Sequence, residues 1–317
     1  MQAITNIPMM NRKYALVSVG ELLADLIGTE FTQNLTDTTT FQRFQGGSPA
    51  NLAANMARLG NQTALVSCVG TDNVGNYLIE KVAETGVDTA YIAKVALAPT
   101  SIVLVSRTKG TPDFIAYRTA DRMIQREYIS DELLQNASFF HTTCFALSQE
   151  PAQSAIVDAA ARAQAAGCIV SLDANYAPPI WPDRAHAQKV IADYCKNGAF
   201  VKLSEDDAER IFGEVRSNAA VIQTFHQMGA QLVCLTLGGK GSIVSSNYGK
   251  DYVEIEGRPI EVKDATGAGD SYWSGFLTAW LDGKTPAECA QAGANIAALK
   301  ISTVGPLPAK VDRAILY

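Results

Sequence analysis

The residues whose types and spacing could do chemistry lie first of all at positions 264–276, where the chain reads DATGAGDSYWSGF. Gly267, Ala268 and Gly269 are small, and apolar residues at helical spacing follow them, so the pattern predicts a tight turn that opens a helix. The first N–H groups of a helix have no partner within it and carry the positive end of its dipole. Residues 267–269, called the glycine turn below, therefore predict a place where a phosphoryl group can approach the backbone.

An acid, Asp270, follows the glycine turn directly. As a helix cap it would contribute about 1 kcal/mol to stability. As a carboxylate beside a bound phosphoryl group, it could instead accept the proton of an attacking hydroxyl. Taken alone, the segment favours the first interpretation, a turn and a cap.

A second segment changes that balance. Residues 46–60 read GGSPANLAANMARLG, in which two glycines precede a predicted helix over 50–58. Together, the two segments resemble the signatures of the ribokinase-like (PfkB) family of small-molecule kinases, in the order and spacing of that family. The resemblance extends from about Tyr14 to the end of the chain and is strongest to the fructokinase group. It implies one ribokinase-like α/β domain over 14–317, preceded by a short extension at 1–13.

Composition limits the classes of function. The 317 residues include 26 basic and 32 acidic side chains, and the basic ones are scattered, so a nucleic-acid partner is not expected. No apolar run approaches the roughly 20 residues of a membrane span, and no secretion signal is recognised at the N-terminus. The six cysteines form no Cys-x-x-Cys pair, which predicts buried free thiols in a reducing cytoplasm rather than disulfides or a zinc site.

The middle of the chain alternates between strands and helices. Strands are predicted at 138–145, 168–173 and 199–203, each followed by a helix, at 151–166, 184–195 and 205–212. This alternation predicts a mostly parallel central sheet with helices on both faces.

Two further regions, at about 22–45 and 98–120, alternate differently. Within the second, residues 101–106 and 114–117 predict a hairpin. The resemblance implies that strands from both regions form a small β-sheet lid over the sugar site, which also serves as a homodimer surface. A lid suits phosphoryl transfer because water in the site would compete with the sugar as acceptor.

Substrate contacts are expected where strands end. Ligands of open parallel sheets collect at the carboxyl ends of strands, and Glu21 and Asp25 follow the first predicted strand. The segment 173–181 resembles a fructokinase and ketodeoxygluconate kinase pattern, except that Ala177 stands where those groups usually carry arginine. The resemblance assigns substrate contacts to Asp25, Gly46, Gly47, Asn51, Tyr117, Arg118 and Asn175.

The nucleotide is expected beside the glycine turn. The Gly-rich segment 238–241 follows an apolar strand, and the chain contains no Walker-type loop. The resemblance implies that ATP binds with Mg²⁺, that Asp207 contacts the metal through water, and that backbone around Asp264 and Thr266 can hold a monovalent cation, K⁺. Asp207 replaces the glutamate usual in the family. ATP contacts are assigned to Lys202, Ser204, Thr236, Gly238, Gly241 and Asn295.

These assignments lead to an ATP-dependent sugar kinase. Asp270 would act as general base toward a primary hydroxyl, while the N–H groups of Gly267, Ala268 and Gly269 stabilise the transferred phosphoryl group. Fructose, giving fructose 6-phosphate, is the expected substrate. The alternatives are a 2-keto-3-deoxygluconate kinase, for which Arg118 is the one obvious cation, a ribokinase or nucleoside kinase, and a silent sugar-binding protein, which would be expected to lose Asp270 or the small residues.

Overall fold

The computed structural model describes residues 12–108, 113–303 and 305–317. Most of the predicted N-terminal extension and the residues that connect the predicted hairpin, 109–112, lie outside these ranges. The strands are β1 (Tyr14–Val19), β2 (Leu23–Phe31), β3 (Phe41–Gly46), β4 (Thr63–Gly70), β5 (Ile92–Val95), β6 (Ile102–Arg107), β7 (Phe114–Tyr117), β8 (Ala137–Thr143), β9 (Ile169–Asp173), β10 (Phe200–Ser204), β11 (Leu232–Thr236), β12 (Gly241–Ser246) and β13 (Asp251–Glu256).

Helices follow most of the strands. They are α1 (Ser48–Arg58), α2 (Asn73–Ala83), α3 (Asp131–Gln135), α4 (Ala152–Ala165), α5 (Arg184–Cys195), α6 (Glu205–Phe212), α7 (Asn218–Gln227), α8 (Ala268–Leu281) and α9 (Pro286–Ile301). In the described part of the chain, no helix is both long enough and apolar enough to cross a bilayer.

The central sheet has nine strands in the order β13-β12-β11-β10-β9-β8-β1-β4-β5. Pairs from β11 to β5 are parallel, and β12 and β13 add an antiparallel edge. The predicted mostly parallel sheet is confirmed. From β1, the chain builds outward through β4 and β5, and later builds in the opposite direction from β8. This reversal between β1 and β8 is the type of crevice in which open parallel sheets bind ligands.

Both faces of this sheet are covered, as predicted. Val17 and Val19 of β1 belong to one buried cluster, which also contains apolar residues of α4 to α7. Leu16, which precedes Val17, belongs to a second cluster with residues of α1, α2, α8 and α9. The alternation follows from the two-residue period of a strand, which turns successive side chains to opposite faces. All six cysteines are free and buried, which confirms the prediction of buried free thiols.

A separate four-stranded sheet, ordered β3-β2-β6-β7, forms the lid. Strands β6 and β7 pair antiparallel with Ile102 opposite Tyr117, so the predicted hairpin is confirmed. Strand β2 pairs antiparallel with β3 but parallel with β6, so the lid joins the two predicted regions through a parallel pair. The connection from β3 enters α1 directly, which couples the lid to the central domain.

The two C-terminal helices, α8 and α9, approach each other closely at glycine. A Cβ on Gly275 of α8 would lie 2.7 Å from the carbonyl oxygen of Ala292, and a Cβ on Gly293 of α9 would lie 2.8 Å from that of Tyr272. Real side chains do not tolerate such distances to backbone atoms. Glycine at these positions therefore sets the distance between the helices, and with it the placement of the residues at the start of α8.

Replacing Gly275 with alanine should lower stability, although Gly→Ala within a helix usually stabilises by about 1 kcal/mol. The new Cβ would press against the backbone of α9, and overpacking of this kind costs about 1–3 kcal/mol. We expect Gly275→Ala to lower Tm by a few degrees in thermal unfolding. The matched control is Gly239→Ala, where a Cβ would meet nothing within 4 Å. A Gly275→Ala protein as stable as the control would contradict the packing argument.

Candidate active site

Asp270 lies in the first turn of α8, within the core of the molecule. The N-cap of this helix is Gly267, at φ 73°, and no side chain caps it, so Asp270 does not serve as the cap. Its carboxylate instead accepts hydrogen bonds from Ser48 Oγ at 2.6 Å and Asn51 Nδ2 at 3.0 Å. Both donors belong to the first turn of α1. The two motifs found far apart in the sequence therefore meet at one carboxylate.

Gly46 and Gly47 allow close approach of the Asp25 carboxylate and the Glu21 main chain. A Cβ on Gly47 would lie 2.2 Å from the carbonyl oxygen of Glu21, and its φ of 103° disfavours other residues. A Cβ on Gly46 would lie 2.2 Å from Oδ2 of Asp25. These glycines allow the start of α1 to lie against the end of β1. Their role in the structure is therefore to position Asp25 and Asn51, which are also predicted substrate contacts.

The acids at this point have raised pKa values. Burial, together with the nearby charge of Asp270, raises the pKa of Asp25 to about 7. Burial also raises the pKa of Asp270, while Ser48, Lys202 and Asn51 lower it by stabilising the charged form. Glu21, which accepts hydrogen bonds from Ser48 N and Thr143 Oγ1, has its pKa raised by burial to about 8. The Asp25 carboxyl can therefore take up a proton near neutral pH.

Lys202 lies directly beneath the glycine turn. Its ammonium pairs with Asp173 at 2.9 Å, and a Cβ on Gly269 would lie only 2.6 Å from the Lys202 Nζ. Burial by itself lowers the pKa of Lys202, but the carboxylates of Asp173, Asp207 and Asp270 raise it above the ordinary value. The predicted ATP contact Lys202 therefore has its ammonium in an internal ion pair, where it offsets the charge of Asp270. Asp173 was not among the residues predicted to form the site, although its position at the end of β9 was a usable signal.

Ser204 and Thr236 end the neighbouring parallel strands β10 and β11 and lie opposite each other. Ser204 caps α6, and Asp207 completes a capping box by accepting from Ser204 N at 2.9 Å and Ser204 Oγ at 2.6 Å, both through Oδ2. The described residues contain no cluster of three or more potential metal ligands. This donor set fits a Mg²⁺ ion carried mainly by phosphates and water, with the other oxygen of Asp207 available for a water-mediated contact.

The remaining predicted nucleotide contacts are Gly238, Gly241 and Asn295. Gly238 and Gly241 flank the loop between β11 and β12, and a Cβ on Gly241 would lie 1.9 Å from the Ile255 carbonyl oxygen, so β13 requires glycine there. The Asn295 amide nitrogen donates at 3.3 Å to the carbonyls of Ile315 and Leu316. Asn295 thus has contacts with the C-terminal segment, which the sequence did not indicate.

Arg118 is engaged within the protein. Its guanidinium pairs with Asp121 at 2.6 Å, donates to the Phe145 carbonyl at 2.8 Å, and retains only 3% side-chain exposure. Asn175 reaches the same residue, since its Oδ1 accepts from Phe145 N at 3.2 Å. Tyr117, at the end of β7, is 51% exposed. Asn175 and Arg118 therefore both bind the main chain of Phe145, and the charge of Arg118 is already paired with Asp121.

Residues 264–266 form the approach to the glycine turn. Asp264 Oδ1 accepts from Thr266 N at 3.0 Å, and its Oδ2 pairs with Lys300 at 3.1 Å. Neither Lys300 nor Ser48 was predicted to have a role. The partners of both lie far away along the chain, and only the folded arrangement brings them together.

Comparison with known proteins decides the family. Residues 13–311 match the sequence profile of the pfkB family carbohydrate kinases. The chain belongs to this family. It is 34% identical over 297 residues to an ATP-dependent 6-phosphofructokinase of Thermoanaerobacterium thermosaccharolyticum, across 94% of this chain and 91% of that protein.

Solved structures agree with this assignment to the pfkB family. A fructokinase of Halothermothrix orenii is 34% identical and superposes with a TM-score of 0.76, covering 88% of this chain and 97% of that one. An uncharacterized sugar kinase of Pyrococcus horikoshii in complex with ATP superposes with a TM-score of 0.83 at 27% identity, covering 94% and 96% of the two chains. The ribokinase-like fold and the expectation of an ATP-dependent phosphotransferase are confirmed.

In this pfkB kinase, Ser48→Ala should move the acidic limb of the kcat/KM profile to higher pH. Ser48 stabilises the ionised form of Asp270, and a hydrogen bond to a charged group is worth about 1.5–3 kcal/mol, which corresponds to a displacement of roughly one pH unit or more. Because the charges of Asp25 and Asp270 interact, the measured quantity is the difference between variant and wild type. The control is Ser154→Ala on the exposed side of α4. Identical acidic limbs would contradict the role given to Ser48.

Proposed function

We propose that the protein transfers the γ-phosphoryl group of ATP to the primary hydroxyl of an uncharged sugar, fructose, to give fructose 6-phosphate, with Asp270 as general base. The observation that carries this proposal is the position of Asp270. Its carboxylate follows the glycine turn on α8 and is held by Ser48 and Asn51 of α1. A carboxylate placed between a phosphate cradle and candidate sugar contacts is suited to take a proton from the hydroxyl that attacks phosphorus.

The reaction can be written with the residues of this chain. The sugar hydroxyl gives its proton to Asp270, and its oxygen forms a bond to the γ-phosphorus as the bond to the β-phosphate oxygen breaks. The N–H groups of residues 267–269, at the unpaired end of α8, donate to the phosphoryl oxygens as negative charge develops there. Mg²⁺, when bound with ATP, neutralises charge on the triphosphate. Asp25 and Asn51 orient the sugar.

Charge at the acceptor side favours a neutral sugar. Asp25 has no cation among the causes of its pKa shift, and the one cation that acts on Asp270 is Lys202, which is paired with Asp173. Arg118, the sequence's candidate for binding a carboxylate, is paired with Asp121. A ketodeoxygluconate or sugar-phosphate acceptor would bring a negative charge toward Asp25 and Asp270, whereas the ammonium of Lys202 and the guanidinium of Arg118 are already paired with aspartates. Hydroxyl groups, which donate to carboxylates, match this environment better.

A second candidate acceptor is fructose 6-phosphate. It is favoured by the 34% identity with an ATP-dependent 6-phosphofructokinase over nearly the whole chain. That substrate would place a second phosphate under the lid. The two acceptors differ only in that phosphate, so one assay separates them.

The test is a coupled assay of ADP formation with Mg²⁺-ATP and separate acceptors: fructose, fructose 6-phosphate, ketodeoxygluconate, ribose, glucose and adenosine. We expect the highest kcat/KM with fructose, because the acidic acceptor site disfavours anionic sugars. A preference for fructose 6-phosphate would replace the proposed substrate by the second candidate. Absence of turnover with every acceptor, together with sugar binding in a thermal-shift assay, would support a silent binding protein instead.

Asp270→Asn should nearly abolish turnover and leave ATP affinity close to that of the wild type. Asparagine keeps the size of the side chain but cannot accept the proton, and loss of a general base typically costs about 10²–10⁴-fold in rate. Turnover is measured with the best acceptor and ATP affinity by calorimetry. Asp206→Asn, on the exposed side of α6, controls for loss of a carboxylate. A variant that kept a tenth of the wild-type rate would rule out Asp270 as the base.

We also propose that two copies of the chain associate through the lid. Large apolar side chains remain exposed on the lid strands: Phe31, Phe41, Ile115 and Tyr117. Their burial against a second copy would remove apolar surface from water. Light scattering of the purified protein, compared with an Ile115→Lys variant, tests this, and a monomeric wild type would contradict it.

A further inference from the structure

The position that the family resemblance reserves for a monovalent cation contains a cation of the chain itself. Lys300, in the last turn of α9, directs its ammonium to Asp264, at 3.1 Å from Oδ2 and 3.3 Å from the main-chain carbonyl oxygen. The residue is only 5% exposed. A carboxylate oxygen and a carbonyl oxygen are the donors that a K⁺ ion would take at Asp264, so the described residues do not fit an additional cation at these two oxygens.

The Asp264 side chain joins three segments. Its Oδ1 accepts from Thr266 N at 3.0 Å, and its Oδ2 accepts from Gly305 N at 3.2 Å in addition to Lys300. Although burial alone would raise it, these hydrogen bonds and the Lys300 charge hold the pKa of Asp264 below its ordinary value. The main-chain N–H groups of residues 263 and 264 also donate to the Ile301 carbonyl, at 2.7 and 3.2 Å. The start of the glycine turn is thus attached to the end of α9.

Lys300 also lies against the glycine turn. A Cβ on Gly267 would have the Lys300 Cε at 3.9 Å, an ordinary contact distance. The dipole of α9 explains why a cation is favourable near its C-terminal end. It does not explain why the ammonium is buried against oxygens of another segment, since desolvating a charge is costly unless the partner repays it. A function for the Lys300 ammonium at this position would account for its burial.

We propose that the Lys300 ammonium takes the place of a bound monovalent cation, fixes residues 264–267, and so makes this kinase independent of K⁺. Lys300 then acts as a positioning residue, because it supports the turn whose N–H groups contact the phosphoryl group. The inference deepens the proposed kinase function, but its structural part concerns cation binding and turn geometry and does not depend on which sugar is used.

Electrostatics supports the exclusion of K⁺. An ammonium and a K⁺ ion carry the same charge, so the two would repel each other if both approached Asp264. Repulsion between like charges at such short distances is strong in a partly buried site, where water screens it poorly. Lys300 is covalently attached and always present, so the oxygens of Asp264 are already used when K⁺ arrives.

The first experiment uses the wild-type protein. Thermal unfolding, ATP affinity and turnover are measured with K⁺ and with a bulky tetraalkylammonium ion at the same ionic strength. We expect all three to be unchanged between the two salts. A rise in Tm and in ATP affinity that is specific to K⁺ would overturn the proposal whatever acceptor the enzyme uses.

The second experiment removes the ammonium. In the tetraalkylammonium salt, Lys300→Ala should lose roughly 10–100-fold in turnover, the scale expected when a catalytic turn is displaced by about 1 Å. K⁺ should restore much of this loss and should raise Tm and ATP affinity in the variant only. Lys263→Ala is the matched control, since it removes an exposed lysine one residue before Asp264 and should behave like the wild type.

The results with the Lys300 variants either support or contradict the proposed role of Lys300. A folded Lys300→Ala protein with wild-type ATP affinity in both salts would overturn the role of Lys300. If that variant does not fold, Lys300→Met, which keeps the apolar stem, is measured in its place, and the wild-type salt comparison remains decisive. Because unfolding and ATP binding need no sugar, failure of the proposed acceptor would leave these two readouts intact.

Discussion

The active site depends on holding several carboxylates and a single ammonium together away from water. Asp173, Asp207 and Asp270 all act on Lys202 and raise its pKa above the ordinary value. The effective cost of desolvating an ion is several kcal/mol, whereas attraction between unit charges about 4 Å apart is roughly 4 kcal/mol at a dielectric constant near 20. One partner therefore barely compensates for burial, and Asp270 also needs the hydrogen bonds from Ser48 and Asn51. The charge of the Asp270 carboxylate is stabilised from three segments of the chain.

This arrangement explains why the fold closes as it does. Ser48 and Asn51 can reach Asp270 only if α1 begins where α8 begins, and the glycines at 46 and 47 allow that approach. Gly46 ends β3 of the lid and Gly47 is the N-cap of α1, so the lid is connected directly to the helix that binds Asp270. Gly275 and Gly293 fix the spacing of α8 and α9, and α9 delivers Lys300 to the segment before the glycine turn. Small residues at these close approaches, more than any large side chain, define the geometry of the site.

The sequence predicted the fold well because its signals are local. Strand and helix periodicity predicted the parallel sheet and its covering helices, and the two motifs predicted the glycine turn and Asp270. Partners between distant segments were not predictable in the same way. Nothing near Arg118 in the sequence indicates that the Phe145 carbonyl, 27 residues further on, accepts from its guanidinium, and nothing near Lys300 indicates Asp264. The glycines were recognised as sites of close approach, but what they approach became known only from the fold.

The distribution of charge also indicates which groups can neutralise a bound triphosphate. The acceptor side presents Asp25, Asp270 and Glu21, whose pKa values are raised mainly by burial. Within the described residues, the buried cations Lys202, Arg118 and Lys300 are each paired with an aspartate. Little of the protein's own positive charge is therefore left for a triphosphate, beyond the partial charge of the N–H groups at the start of α8. A nucleotide that enters this site must bring most of its counter-charge with it, which is what a Mg²⁺ ion held by phosphates and water supplies. The proposed role of Lys300 at Asp264 is consistent with this distribution of charge. The glycine turn would then be held in place before the nucleotide and its Mg²⁺ bind.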